Sequence, residues 1–547
     1  VQEGEVEAEQ KTAADTTFEP NIIAFCCNWC SYAGADLAGV SRLQYPPNIR
    51  IVRVMCSGRV EPSFLLDALE SGADGILVTG CHIGDCHYIS GNKKAETKVK
   101  MVQNLLDMLG VGSDRLRLEW ISASEASKFA EVMNEFNDHI TQLGPNPLKF
   151  VEREPPDEQA GSPEIINGLI QDTRAFDCVE CGKCTSVCPV AMVDEKFAPR
   201  LIVVKAQEGA SSDLAKEKDI WTCNTCGICS AMCPYKVDYP EFIRGLRVES
   251  AMLGTVPSCS QGGLLQSTMR IMANSDFEQK RLDWVDEDSK IADTGDVFFF
   301  TGCLPQMEVI FQDRELKMTD IARSAVKIMN KAGVVPVVSN KEKCCGHDLN
   351  WTGDEESVEK LMDHNLDVIR KSGAKTVVFT CAECFRTFNI DYQAMAEEDL
   401  DFRMLHISQY VNELIDSGKL KFKDGLSRKI TYHEPCRLSR HCGVYDAPRD
   451  TFAKISGIDI VEMENIRDKS TCCGVSAWMN CDANVKKSQI DRMMEAKRTD
   501  AEVVLTACPK CYIHLDCSVR DEVPVEKEMV DIPLEDYTIA VAKALED

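Results

Sequence analysis

TVVFTCAEC at residues 376–384 and EVVLTACPKC at 502–511 are one device written twice. Each is a short apolar run rich in β-branched residues, the composition of a buried parallel strand, ending directly in a Cys-x-x-Cys pair. Upstream of each stands a Cys-Cys-Gly, at 344–346 and 472–474. Before that comes another apolar strand closing on a single cysteine, VFFFTGC (297–303) and KITYHEPC (429–436). Two copies of one strand–helix pattern, with cysteines in register, predict two α/β lobes related by a pseudo-twofold axis. Strand ends of such lobes converge on a shared cleft. The first lobe, 296–400, offers Cys303, Cys344, Cys345, Cys381 and Cys384. The second, 401–547, offers Cys436, Cys472, Cys473, Cys508 and Cys511. Five thiolates are one more than a cubane needs, so a distorted cluster with a bridging thiolate suits each set better.

Residues 164–255 read as a mostly helical unit around two cysteine runs. Cys178, Cys181, Cys184 and Cys188 follow C-x2-C-x2-C-x3-C-P, and Cys223, Cys226, Cys229 and Cys233 repeat it. Three close thiolates wrap one face of a 4Fe–4S cube, and the fourth reaches the other cube. The expected sets are Cys178, Cys181, Cys184 and Cys233, and Cys223, Cys226, Cys229 and Cys188. Gly182 and Gly227 let the backbone pass close to metal. Zinc is the alternative, but zinc sites rarely repeat four cysteines so tightly. Residues 256–295 read as a connection of no defined pattern.

The first part of the chain has another rhythm. Residues 1–17 are acidic without apolar period and read as disordered. Over 18–142, strands at 21–25, 49–55, 75–80 and 116–122 alternate with helix candidates at 61–72, 94–109 and 124–142. This predicts a small doubly wound, flavodoxin-like domain. A Pro- and charge-rich linker, 143–163, follows. Cys26, Cys27, Cys30, Cys56, Cys81 and Cys86 all fall at or after strand ends. Four of these six can hold one small cluster, while a redox-active dithiol or zinc site is the alternative. His82 and His87 are expected as hydrogen-bonding neighbours of the ligands rather than ligands. His347, His433 and His441 are read the same way, proton delivery being their alternative role.

With 28 cysteines in tight groups and only nine histidines, thiolate ligation dominates, and a reducing compartment is implied. The polar, acidic start and the lack of a long apolar run predict a cytoplasmic protein without membrane insertion. A formal charge of −27 argues against nucleic-acid binding. Beyond the motif cysteines and two of the N-terminal six, Cys259, Cys442, Cys481 and Cys517 are expected to be ordinary buried thiols, Cys442 being the first candidate for an exception because it is close to Cys436.

Two resemblances attach to these residues. The ten cysteines of the repeated lobes match the CCG domains of heterodisulfide reductase, and the two-cubane segment resembles that enzyme's electron-feeding subunit. The likeness spans about residues 165–547. It implies two noncubane 4Fe–4S clusters and reductive cleavage of a disulfide such as CoM-S-S-CoB. FCCNWCSYAGADLAG, VMCSGRV and GCHIGDCHY, within 21–140, look like the delta subunit of methyl-viologen-reducing hydrogenase. That family implies a 2Fe–2S cluster passing electrons from a hydrogenase or formate dehydrogenase to a flavoprotein. The chain carries neither a G-x-G-x-x-G after a strand nor a P-loop, so FAD is expected on a partner subunit of a hetero-oligomer, where it would bifurcate electrons. The alternatives are a relay subunit without disulfide chemistry and a free electron carrier.

Overall fold

The computed structural model describes residues 18–148, 157, 159–209, 212–255, 257–520 and 530–546. The expected tail at 1–17 lies outside them, as do 149–156 and 158 of the expected linker. No helix among the described residues is long and apolar enough to cross a membrane.

The first unit alternates β1 (Ile22–Cys27), α1 (Ser31–Val40), β2 (Ile49–Val54), α2 (Pro62–Glu70), β3 (Gly75–Gly80), α3 (Gly91–Met108), β4 (Leu116–Trp120) and α4 (Ala126–Leu143). The strands form one parallel sheet in the order β2-β1-β3-β4. GILVTG of β3 is buried at every position, as expected of a central strand covered on both faces. In α4 the buried residues Phe129, Met133, Phe136 and Ile140 recur at helical spacing and seal one face against α1. All four strands end at one sheet edge, because every connection is a parallel crossover.

The second compact unit takes in residues 101–112, which include the end of α3, and all the elements that follow α4. Around the two cysteine runs lie short helices, Lys183–Val187 and Ile228–Met232. Each starts after a left-handed glycine, Gly182 (φ 76°) or Gly227 (φ 77°), where a side chain would be strained. The longer α5 (Tyr239–Met252) buries Phe242, Ile243 and Leu246 in the same core. Residues 257–295 hold more regular structure than expected. They contain α6 (Leu264–Asn274), whose buried Leu264, Leu265, Met269 and Met272 make an apolar stripe, and which packs on the helix Glu355–Ser372.

The first lobe runs β5 (Val297–Phe300), α7 (Thr319–Lys331), α8 (Glu355–Ser372), β6 (Thr376–Phe379), β7 (Arg403–His406) and α9 (Ile407–Asp416). The second runs β8 (Arg428–His433), α10 (Ala447–Ala453), β9 (Ile458–Ile460), β10 (Val503–Thr506), β11 (Leu534–Asp536) and α11 (Tyr537–Ala544). Their parallel sheets are ordered β5-β6-β7 and β11-β10-β8-β9. Val337 bridges to Phe298 of β5 in the place β9 holds beside β8, so the two sheets correspond strand for strand. β7 pairs with β6, so the first lobe's sheet extends past the division expected at 400. The last helix of each lobe packs on the other lobe: α9 on α10, and α11 on α7.

Candidate metal centres

The ten lobe cysteines form one chain of sulfur contacts, with Cys303, Cys381 and Cys436 half-buried and the other seven buried. In the first lobe Cys303 Sγ lies 3.2 Å from Cys344 Sγ. Cys344 touches Cys345, Cys345 touches Cys384, and Cys384 touches Cys381. In the second, Cys436 touches Cys472, Cys472 touches Cys473, and Cys473 Sγ lies 3.5 Å from Cys511 Sγ. Cys511 touches Cys508. The two sets join where Cys381 and Cys508 are hydrogen-bonding neighbours, and the bonds from Cys384 and Cys508 draw the Cys381 thiol down to about 5. The strands do this: each Cys-x-x-Cys follows its central strand, β6 or β10, and the following turn of helix brings both thiols to the sheet edge.

A polar cluster sits at the join. Lys510, inside the second lobe's Cys-x-x-Cys, meets Asp348 and Glu383 of the first lobe. Burial opposes its charge, but these carboxylates more than offset that and hold the ammonium above its usual range. Asp348 stays well below the carboxylate range against its own burial because Lys510 lies beside it, whereas burial pushes Glu383 well up. A cavity beside the first cysteine set is lined by Met269, Met307, Asp348, Glu383 and Pro509 as well as the thiols. Sequence reading passed over Glu383 and Lys510. They occupy the same position of the repeated Cys-x-x-Cys with opposite charge, which aligning the two copies would have exposed.

The three lobe histidines that flank the cysteine motifs, His347, His433 and His441, are all bonded to neighbours. His433 Nδ1 accepts from Arg492 Nε at 3.1 Å and lies against Cys473 and Cys511. His347 Nε2 accepts from Arg437 Nε at 3.1 Å. His441 contacts the Thr225 carbonyl at 3.0 Å and Arg437.

The two ferredoxin-like runs cross over. Cys188 lies near Cys223 and Cys226, and Cys229 near all three. Cys178, Cys181, Cys184 and Cys233 line one cavity with Gly182 and Tyr235. The second set is wholly buried, whereas Cys181 is exposed and its three companions are half-buried. Cys226 is also a hydrogen-bonding neighbour of Cys472, and that contact draws its thiol down to about 5.

In the first unit five of the six cysteines gather: Cys27, Cys30, Cys56, Cys81 and Cys86. Cys30 Sγ is 2.9 Å and Cys27 Sγ 3.9 Å from Cys81 Sγ. Cys56 and Cys86 flank Gly91, where a Cβ would lie 2.2 Å from Cys56 Sγ. Cys26 stands apart. It points to the opposite face, into the core with Ala35 and Phe129, and burial pushes its thiol up to about 11. His82 Nε2 pairs with Glu125 at 2.7 Å, and His87 stacks on Trp29 at 4.0 Å.

One expectation is corrected. Of the four unassigned cysteines, Cys259, Cys442 and Cys517 are only half-buried and Cys481 is exposed. Cys481 sits in the loop just before the helix capped by Asp482, where nothing covers it.

The chain matches the methyl-viologen-reducing hydrogenase delta-subunit family over residues 22–144, a 4Fe–4S dicluster domain over 174–237, and the cysteine-rich CCG domain over 297–389 and 430–516. It is 30% identical over 397 residues to the D subunit of the dihydromethanophenazine:CoB–CoM heterodisulfide reductase from Methanosarcina barkeri, covering 67% of this chain and 93% of that protein. The chain belongs to the family of heterodisulfide reductase D subunits. Its first domain belongs to the hydrogenase delta-subunit family: it is 58% identical over 132 residues to the iron–sulfur D subunit of the vhc F420-non-reducing hydrogenase from Methanococcus voltae, 24% of this chain and 92% of that one. The same domain is 50% identical over 131 residues to 16% of the A subunit of the ferredoxin/F420H2-dependent CoB–CoM heterodisulfide reductase from Methanosarcina acetivorans.

This heterodisulfide reductase homologue is therefore an oxidoreductase-type iron–sulfur protein, and its relatives work in multisubunit complexes. The residues fit such clusters: the donors are all sulfur, they gather from distant stretches of chain, and most are shielded from water.

Proposed function

We propose that the chain reductively cleaves a disulfide, such as CoM-S-S-CoB, between its two five-cysteine sets, converting R–S–S–R′, two electrons and two protons to two thiols. The contact of Cys381 with Cys508 carries this reading, because it makes two equivalent sulfur-rich sites neighbours, one for each sulfur of the substrate. The cavity beside the first set supports access for the substrate. When bound, two noncubane 4Fe–4S clusters supply single electrons and iron sites for sulfur. The protein's part is to bury seven of the ten thiolates and half-bury the rest, to limit water, and to keep the Lys510 ammonium at the join, where it favours developing thiolate charge.

In this reading Cys178, Cys181, Cys184 and Cys233 hold one cubane, and Cys223, Cys226, Cys229 and Cys188 the other. The contact of Cys226 with Cys472 supports electron entry through the second lobe. Four of Cys27, Cys30, Cys56, Cys81 and Cys86 hold a 2Fe–2S cluster in a flavodoxin-like domain, a description the 2-1-3-4 strand order supports. A hydrogenase or formate dehydrogenase reduces it, and a cytoplasmic FAD-containing partner, bifurcating electrons, joins it to the cubanes.

The test is iron and acid-labile sulfide analysis with EPR of the purified complex under added thiol, alongside disulfide-dependent oxidation of reduced viologen. A thiol-induced signal and turnover are expected, both lost in Cys381→Ala and Cys508→Ala. Full cluster content with neither signal nor turnover would leave an electron relay instead.

A further inference from the structure

Three guanidinium groups, from Arg247, Arg437 and Arg440, converge on the second cysteine run, and none is paired with a carboxylate among the described residues. Arg247 is fully buried and gives its donors to carbonyls alone: Ile220 at 3.0 Å, Trp351 at 3.1 Å, Trp221 at 3.4 Å and Cys223 at 2.6 Å. Arg437 donates to the Thr225 carbonyl at 2.6 Å and its hydroxyl at 2.7 Å, and lies 4.0 Å over the Trp351 ring. Arg440 donates to the Cys226 carbonyl at 2.8 Å and the Ser470 carbonyl at 2.6 Å.

Other arginines of this unit do have carboxylate partners. Arg200, at the first cysteine run, pairs with Glu180 at 3.0 Å; Arg281 pairs with buried Glu342; Arg386 pairs with Glu241 and Asp391. A buried cation without a counter-charge is costly, so buried Arg247 and Arg437, with half-buried Arg440 beside them, call for an anion there. A cluster ligated by four thiolates is such an anion. Adding an electron makes it more negative, which nearby guanidinium groups favour strongly in a dry interior. Burial alone would work the other way and leave the electron on the exposed cluster.

We propose that Arg247, Arg437 and Arg440 set the order of electron acceptance, holding the cluster of Cys223, Cys226, Cys229 and Cys188 at a higher potential than the exposed cluster of the first run. Electrons then move inward from the solvent-facing cluster to the one that touches the second lobe. One electron enters and one leaves, and no bond is made or broken. The inference rests on both runs holding cubanes.

The experiment is an EPR-monitored reductive titration of the full, cluster-loaded chain with dithionite. In Arg440→Met, the reduced-to-oxidised ratio of the higher-potential cubane at fixed poise should fall by about tenfold or more, about 59 mV for one electron. The other cubane should stay in place. Arg440→Lys keeps the charge and should restore most of the shift, and Arg200→Met should move neither cubane. Arg247→Met should act like Arg440→Met; Arg440 is the less enclosed of the two, so its variants keep the test open if Arg247→Met does not fold. Two cubanes present with unmoved potentials would overturn the tuning alone. Absence of two cubane signals in the wild type would overturn it together with the cluster assignment.

Discussion

Lys510 Nζ lies 2.5 Å from Asp348 Oδ1, an ion pair between the two lobes with side chains 2% and 4% exposed. The repeated motif thus supplies the charge that holds its two copies together. Removing Lys510 leaves the Asp348 and Glu383 carboxylates facing each other without their shared cation. Lys510→Met should cost roughly 3–5 kcal/mol of stability, seen as a lower denaturant midpoint of the loaded chain. Adding Asp348→Asn should recover part of that loss. If the double variant is as unstable as the sum of the singles, the pair is not coupled.

Gly91 is the only residue type that fits its site, since a Cβ there would overlap Cys56 Sγ and press on Cys86 Sγ at 3.2 Å. Gly91→Ala should therefore lose the N-terminal cluster's visible absorption and EPR signal, while the iron bound by the rest of the chain stays. An unchanged N-terminal signal would show that Cys56 and Cys86 are not both needed.

Cys26 and Cys27 are adjacent in sequence but face opposite sides of β1. Cys26→Ala should retain the N-terminal iron and lose stability by only about 1 kcal/mol, the scale of a small buried group. Cys81→Ala, at the centre of the cysteine group, should lose that iron. Iron analysis of the two purified variants separates them.

Trp351 is fully buried between the Arg437 and Arg386 guanidinium groups, 4.0 and 4.8 Å from its ring, one from the second lobe and one from the first. Trp351→Ala should cost about 3–5 kcal/mol through the cavity alone. Trp351→Phe should cost clearly less. Calorimetry that gives equal losses for both would point to the indole's contacts rather than its volume.

Asp536 caps α11, its carboxylate accepting from the Thr538 amide at 2.8 Å, and burial pushes it up to about 7. The folded chain therefore binds this proton more tightly than the unfolded one. Its contribution to stability is full below the ordinary carboxylate value of about 4 and is lost as pH rises through about 7. Wild type should lose stability across that window, and Asp536→Asn, which keeps the cap without titrating, should show a flatter profile. Parallel profiles would mean the carboxylate is not buried in solution.

Local order along the chain was enough to specify the parallel α/β sheets, the helical two-run segment and the repeated lobes. A strand's apolar run and a cluster motif's spacing both act within a few residues. Tertiary packing decided what depends on distant segments meeting. It separated Cys26 from its five neighbours by strand parity, crossed Cys188 and Cys233 between the two runs, and joined Cys381 to Cys508. It also placed β7 in the first lobe, ordered the supposed connection at 256–295 through α6, and left Cys481 exposed. The physical reason is that spacing in sequence constrains only the nearest turns of backbone, whereas the neighbours of a side chain are chosen by which faces the whole chain buries together.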